Sequence, residues 1–214
     1  FKDEEDYKNA FKDFIGKLPT DGFLIANHDD DNAREVAESK KDVQKIFFSL
    51  KDKSADWYFD GNQVIHNGEI VGEMNLSIPG DFNMMNAICG LILRSIIDPP
   101  VAVSLENINN FKGTWRRFEE LGDFDGIKVI SDYAHHPTAI RKTLAAAHEK
   151  YPDQKICSIF QPHQYNRTKH FISEFANAFG DAEYVIIPDI YKVRDKKEDL
   201  EAISAEELVN ELKK

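Results

Sequence analysis

Cysteine is scarce. The 214 residues contain two, Cys89 and Cys157, both inside apolar stretches and not arranged as Cys-x-x-Cys. That excludes a small scaffold built on disulfides and fits a reducing compartment, so a cytoplasmic location is expected. No apolar run approaches the ~20 residues of a membrane-spanning helix, and the opening residues do not read as a signal peptide. Positive charge is also short: 27 Lys and Arg against 38 Asp and Glu leave a formal net charge of −11. A general electrostatic grip on nucleic acid or anionic lipid is thereby excluded, although a local basic pocket is not. No internal repeat and no low-complexity segment is visible. What is present is an ordinary globular composition, 42% apolar and 30% charged, in a length suited to one large domain or two small ones. The chain opens at Phe1 inside a stretch of helical periodicity, so it reads as part of something longer.

Residues 3–17 place Tyr7, Ala10, Phe11, Phe14 and Ile15 at helical spacing, ended by Pro19 and Gly22. Residues 23–26 predict a short strand, 29–39 a small polar helix, and 44–50 another strand. From 55 to 78 the pattern changes to alternating segments broken at Asp60-Gly61 and Asn67-Gly68. That predicts an antiparallel meander, because an Asn-Gly hairpin turn needs positive φ at both central residues. Residues 83–97 predict a buried helix. Beyond a polar run around Gly113, strands at 127–130, 155–160 and 184–188 alternate with helices at 137–151, 169–179 and 204–212. Pro137 suits a first helical turn, and Ser204 with Glu207 reads as a capping box. Alternation of this kind predicts right-handed crossovers and a parallel, Rossmann-like sheet. The fold class is α/β, with a boundary that puts residues 1–113 in one domain and 114–214 in the next.

In an open parallel sheet, ligands sit beyond the carboxyl ends of the strands. Three such ends here are polar: Ser131 to Pro137, Gln161 to Thr168, and Asp189 to Arg194. One polar loop is an ordinary solvated turn, whereas three on one rim, bearing Asp, His, Arg and Tyr, point to a site. Asp132 accepts hydrogen bonds only and suits a ribose diol or a cation; Arg167 offers a planar fork for a carboxylate or phosphate. His135 and His163 can donate to an anion or orient a partner, or be satisfied by backbone as structural histidines. Asp132 with His135, His136 and His163 also admits a metal-dependent phosphoesterase. A binding module without catalysis would use the same rim only to hold a nucleotide or peptide. The acidic runs at Asp29–Asp31 and 196–201 read as solvated surface. Upstream, Asn83 and Asn86 lie three apart at a helix start and share a face, where side-chain amides can read an adenine edge or simply cap and brace the helix. Arg116 and Arg117 stand between Trp115 and Phe118, so that one can meet a phosphate while the aromatics pack.

Taken in order, Pro79-Gly80-x-x-Asn83-x-x-Asn86-Ala87, Phe111-Lys112-Gly113-x-x-Arg116-Arg117-Phe118-Glu119, Asp132-Tyr133-Ala134-His135-His136-Pro137-Thr138, Phe160-Gln161-Pro162-His163-x-Tyr165-x-Arg167-Thr168 and Asp189-Ile190-Tyr191 resemble the Mur ligase family. Within it the match is to the branch that joins L-alanine to UDP-N-acetylmuramate in peptidoglycan synthesis. The branch that ligates a tripeptide in cell-wall recycling shares the Asp132–Pro137 stretch and is the alternative. The resemblance implies a partial central ATPase-type domain over 1–113, carrying the small meander, and a Rossmann-like carboxy-terminal ligase domain over 114–214. It implies ATP and magnesium as cofactors, with Asn83 and Asn86 on adenine, Arg117 on the nucleotide phosphates and Asp132 on the ribose. It further implies that His135, His163 and Arg167, with Tyr133 and Tyr165, line the place where the nucleotide sugar and L-alanine meet.

Departures from the family pattern are equally specific. Phe82 stands where His is usual, Ser131 where Asp is common, and Gln164 where Arg sometimes occurs. No G-x-x-x-x-G-K-[ST] phosphate loop occurs in these residues, nor the family's magnesium-binding Glu and His, nor its UDP-binding domain. Metal ligands are therefore not assigned in this chain, and the 214 residues are expected to be inactive by themselves. An unpaired sheet edge and an uncovered apolar face at the strands near Phe23 and Gln44, covered by a second copy, a lattice neighbour or rearrangement, is the corresponding structural expectation.

Overall fold

Acidic residues start the first helix, α1 (Glu4–Gly16): Asp3 caps it by accepting the Asp6 N–H at 2.8 Å, and Glu4, Glu5 and Asp6 fill a first turn whose dipole favours negative charge. A computed structural model describes residues 1–97, 102–193 and 195–214, which form two compact units. The first comprises Phe1–Ser77 and Asp81–Lys112; the second comprises Ile78–Gly80 and Gly113–Lys214.

In the first unit, β1 (Phe23–Asn27), α2 (Asp31–Ser39) and β2 (Gln44–Ser49) make a β-α-β crossover, with β1 and β2 parallel in the register Phe23↔Gln44 to Asn27↔Phe48. The meander follows as β3 (Trp57–Asp60), β4 (Gln63–His66) and β5 (Glu69–Glu73). β3 joins β2 in parallel and pairs antiparallel with β4, giving one five-stranded sheet in chain order. The turn from β4 to β5 is formed by Asn67 and Gly68 at φ +51° and +83°, as the Asn-Gly signal requires. The last strand stops at Glu73, five residues before the predicted end at 78. Helix α3 (Asp81–Ile97) lays Ile88, Leu91 and Ile92, all at 0% exposure, against Phe48, Trp57 and Val64. The i, i+3, i+4 spacing that buries them is the helical stripe the sequence carries. Helix α4 (Ala102–Asn109) adds Leu105 to that core.

The Asp29–Asp31 run is at the surface but has specific work. Asp29 accepts from the Ser49 hydroxyl at 2.5 Å and the Leu50 N–H at 2.8 Å, tying the end of β1 to the end of β2. Asp30 caps α2 through the Ala33 N–H, and Asp31 pairs with Arg34.

The second unit opens with a hairpin, β6 (Glu119–Phe124) and β7 (Ile127–Ser131), turned at Asp125 and Gly126. β6 was not anticipated from sequence, since Glu-Glu-Leu-Gly-Asp-Phe carries little alternation. Helix α5 (Pro137–Lys150) leads to β8 (Cys157–Ile159). The single helix expected over 169–179 is instead two short ones, α6 (Tyr165–His170) and α7 (Ile172–Ala176), displaced toward the amino end. β9 (Tyr184–Ile186), α8 (Lys197–Leu200) and α9 (Ala205–Leu212) complete the unit, α9 starting with the Ser204/Glu207 capping box. β8 and β9 are parallel, as alternation predicts, but β7 is not hydrogen-bonded to β8: the described strands here form two two-stranded sheets. Ile140 and Leu144 of α5, Phe160, Phe175 and Leu208 form the core. No helix among the described residues is long and apolar enough to cross a membrane.

Candidate functional site

The second unit carries most of the expected side chains, and one loop organises them. Asp132 directly follows β7. Its Oδ2 accepts the Phe118 N–H at 2.8 Å; its Oδ1 accepts the Ala134 N–H at 2.7 Å and the Thr143 hydroxyl at 3.3 Å. The carboxylate thus holds three segments together: the turn before β6, the loop after β7, and α5. An ionised carboxylate has about four acceptor directions, so one further donor can still be taken. Thr143 was not singled out from sequence; a lone hydroxyl on an apolar helical face gives no local signal.

The turn that Asp132 pins is unusual. Arg116 and Phe118 have φ of +54° and +48° without being glycine. Each such residue costs on the order of 1–3 kcal/mol and persists only where its surroundings over-determine it. Here the surroundings do: the Arg116 N–H donates to Glu119 at 2.8 Å, the Arg116 carbonyl accepts the Tyr133 N–H at 2.9 Å, and Asp132 takes the Phe118 N–H. The result presents two guanidinium groups to the Tyr133 ring, Arg116 at 4.8 Å and Arg117 at 5.7 Å from its centroid. Arg116, the nearer, is the member of the pair that sequence reasoning did not favour. Tyr133 is 46% exposed, so this ring face is a platform and not a core contact.

The string continues along the loop. The His135 ring lies edge-on to Tyr133 at 5.2 Å, and its Nδ1 is 3.0 Å from the Tyr133 carbonyl. His136 caps α5, its Nδ1 accepting the Thr138 N–H at 3.3 Å, and its ring meets Phe171 at 5.0 Å. Burial, then the neighbouring His135 and Arg167, push the His136 pKa below its ordinary value, which keeps that ring neutral as a cap must be. Arg167, on α6, is close enough for its charge to be felt at His136.

The next rim follows β8. Gln164 enters α6 at φ +69°, a third strained non-glycine at the site. His163 and Tyr191 form an isolated parallel bridge beyond the β8–β9 ladder, shifted by one residue from its register, with their rings 4.9 Å apart. The Gln161 amide donates to the Asp189 carbonyl at 3.1 Å and ties the same two ends. Tyr165 is half-buried at the start of α6. Tyr191 as the partner of His163 was not legible, because the pairing depends on a strand register 28 residues apart (191 − 163). Arg194, expected on the third rim, lies outside the described residues.

In the first unit, Asn83 is buried at 7% exposure and Asn86 is exposed, one turn further along α3. Among the described residues, no group of three or more His, Cys, Asp or Glu side chains is arranged to hold a metal ion. Asp132, His135, His136 and His163 therefore do not assemble the ligand set a phosphoesterase would need.

Comparison with known proteins covers nearly the whole chain. The model of the Mur ligase middle domain matches residues 1–93, and that of the Mur ligase glutamate ligase domain matches residues 116–214. A UDP-N-acetylmuramate–L-alanine ligase of Alkaliphilus metalliredigens is 42% identical over 98% of this chain and 47% of its own length. One of Caldanaerobacter subterraneus is 38% identical over 98% of this chain, again across 47% of that protein. The chain therefore spans about half the length of the curated relatives it matches. The crystal structure of a UDP-N-acetylmuramate-alanine ligase from Thermotoga maritima superposes with a TM-score of 0.72 at 23% identity, covering 99% of this chain and 45% of that one.

Proposed function

We propose, since this chain belongs to the Mur ligase family, that it supplies the second half of a central ATP-binding domain (1–113) and most of the carboxy-terminal domain (114–214) of an ATP-dependent ligase joining L-alanine to UDP-N-acetylmuramate. What carries the reading is the string Arg117, Tyr133, His135 and His136 at the loops around β6 and β7, with Arg167 of α6 acting on His136, in a chain matched over 98% of its length by relatives of that name. Bound ATP supplies the phosphoryl group that activates the muramate carboxylate toward the amine of L-alanine, giving the amide, ADP and phosphate. The protein's part is positioning and charge neutralisation.

Each residue has a role suited to its surroundings. Asn83 and Asn86 face adenine. Arg117 meets nucleotide phosphate, held ready by the strained turn that Asp132 and Glu119 fix. Asp132 offers its remaining acceptor direction to a ribose hydroxyl while bracing that turn. Arg167 takes a carboxylate through its planar fork, and His135 and His163 donate to the anion at the reacting centre, with Tyr133 and Tyr165 as walls. Such a reaction, drawing on ATP and a nucleotide sugar, places the protein in the cytoplasm. The 214 residues contain no phosphate loop, and no magnesium ligands are assigned among them. This polypeptide alone is therefore expected to bind ATP weakly and to turn none over.

The test is phosphate release by a full-length ligase carrying these residues, measured with and without each substrate. Release should require both UDP-N-acetylmuramate and L-alanine. Arg167→Ala or His163→Ala should lower kcat/KM by about 10²–10³-fold, the usual loss for one charge-stabilising group. Release independent of L-alanine, or unaltered kinetics in both variants, defeats the assignment. Submicromolar ATP binding by the 214-residue chain in calorimetry would defeat the division of labour.

A further inference from the structure

Trp115 directly precedes the strained turn of the second unit, and packing, the expectation from sequence, does not account for it. Its side chain belongs to neither hydrophobic core, and the residue is 78% exposed. The ring meets a cation instead. Arg116 Cζ lies over the Trp115 ring at 5.5 Å from its centroid and over the Tyr133 ring at 4.8 Å. Side chains of adjacent residues diverge along an extended chain. Here the φ of +54° at Arg116 lets its guanidinium lie over the ring of the residue before it. Arg116 is half-buried, although both rings beside it are open to solvent.

The edge of that guanidinium is uncommitted. Among the described residues, neither Arg116 nor Arg117 makes a hydrogen bond or ion pair through its guanidinium. The carboxylates of the turn are already engaged: Glu119 takes the Arg116 backbone N–H, and Asp132 takes donors from Phe118, Ala134 and Thr143. Acidic residues outnumber basic ones 38 to 27 in this chain, yet both guanidinium carbons stand within 5.7 Å of one ring centre without a carboxylate. Such a place suits an anion from outside. Ring contacts occupy faces of the Arg116 guanidinium, so an oxyanion meets it edge-on, through two parallel N–H donors. A free arginine loses rotamer freedom when it binds, and the rings take part of that loss beforehand. A cation–π contact is worth about two- to fivefold in an equilibrium at an exposed site, and more once water is excluded. It therefore strengthens when a ligand covers the ring.

We infer that Trp115 is a positioning residue: it holds Arg116 so that Arg116 and Arg117 together grip a chain of linked phosphates. The inference rests on the function proposed above for the identity of that chain, the polyphosphate of the nucleotide. To that reading it adds a second cation and the ring that orients it. Two guanidinium groups on one fixed turn match an anion whose charge is spread over successive phosphates better than a single carboxylate.

The experiment is titration of the 214-residue chain with inorganic tripolyphosphate, followed by amide NMR shifts. The shifts should centre on residues 115–118 and 133. Trp115→Ala should weaken binding about fivefold, while Trp115→Tyr, which restores a ring, stays within about twofold. Arg116→Ala should weaken it about tenfold or more, the loss of a hydrogen-bonded charge. Because the tryptophan acts through the arginine, Trp115→Ala should cost nothing further once Arg116→Ala is present. Its urea midpoint should match that of the parent chain, since the ring belongs to no core. The inference is overturned if millimolar tripolyphosphate shifts nothing, or if the shifts centre on Arg141 or Arg167. It is equally overturned if Trp115→Ala binds as well as the parent, keeps its full effect beside Arg116→Ala, or loses midpoint in step with affinity. In a full-length ligase, Trp115→Ala should raise KM for ATP about fivefold with kcat little changed, and an unaltered KM also overturns the inference. Phosphate release without L-alanine, from a ligase whose KM for ATP still responds to Trp115, would defeat the ligase reading and support this one.

Discussion

Both units place an aspartate just past the carboxyl end of a strand, β1 in the first and β7 in the second, and the two carboxylates are used differently. Asp29, after β1, reaches sideways to Ser49 and Leu50 at the end of the neighbouring parallel strand. Asp132, after β7, reaches back to Phe118 and forward to Ala134 and Thr143. In the first unit, strand ends bind one another within a continuous five-stranded sheet. In the second, the described strands form two two-stranded sheets, and the carboxylate after β7 serves the loops. Its bracing keeps the Arg116–Phe118 turn in positive φ and the guanidinium groups over Tyr133. The first unit invests its polar contacts in the sheet, and the second invests them in a rim.

The largest expected contrast comes from the cores. Phe175, at 1% exposure, joins α7 to Phe160 and Leu208; Leu91, at 0%, joins α3 to the first sheet. Phe175→Ala should cost about 3–5 kcal/mol and Leu91→Ala about 2–5 kcal/mol. The second unit's sheet is in two pieces, so the Phe175 variant is expected to lose protection across 113–214 while 1–77 keeps its own. Region-resolved hydrogen exchange decides this. If either substitution melts both units together, they are one cooperative body and the comparison fails.

A smaller contrast concerns the two aspartates. Asp132→Ala leaves two backbone N–H groups and a hydroxyl without their acceptor in a half-buried place, and about 2–3 kcal/mol is expected. Asp29→Ala removes a bond to the exposed Leu50 N–H and one from the buried Ser49 hydroxyl and should cost about 1–2 kcal/mol. Urea midpoints give both values. A larger loss at Asp29 would reverse the distinction between a carboxylate that bridges strands and one that carries a strained loop.

How much of this was legible follows from where the information lies. Asn67-Gly68 announced its hairpin because the turn chemistry is local, and Ile88, Leu91 and Ile92 announced the α3 core because helical period is local too. Asp125-Gly126 carried the same kind of turn signal as Asn67-Gly68. It was overlooked because β6 shows none of the alternation that made the meander stand out: five of its six residues are exposed. The break of the 165–176 helix at Phe171 reflects a tertiary choice, since that ring is claimed by His136. At the site, Asp132, His135, His163 and Arg167 were recognisable as residue types on strand ends. Their actual companions, Thr143 for Asp132 and Tyr191 for His163, depend on α5 packing and on the β8–β9 register, neither of which a short window contains. The role of Asp132 as a brace was hidden for the same reason, two of its three donors being 14 and 11 residues away along the chain.

The smallest effect separates how helices are held in the two units. Helix α5 is fixed by Ile140 and Leu144 in an apolar core. Helix α1 buries Ile15 alone, leaves Tyr7, Phe11 and Phe14 exposed, and reaches α2 through ion pairs: Lys8 and Lys12, one turn apart, contact the two oxygens of Glu35 at 2.8 and 2.9 Å. Hydrogen bonds from Lys8 and Lys12, with their charges, hold the Glu35 carboxyl down at about 2, against an ordinary 4.5. A carboxyl depressed on folding contributes its full stabilisation above the unfolded value. That contribution fades as pH falls from about 4.5 and is gone once the folded carboxyl protonates near 2. Acid should therefore loosen α1 while α5 remains protected, and Glu35→Gln should loosen it equally at neutral pH. Because the pair is exposed to solvent, added salt should imitate part of the acid effect. Amide exchange over residues 4–16 at pH 5 and pH 2.5, corrected for its intrinsic pH dependence, measures the difference. Identical corrected rates at both pH values would mean that the aromatic stripe and Ile15, and not Glu35, keep α1 in place.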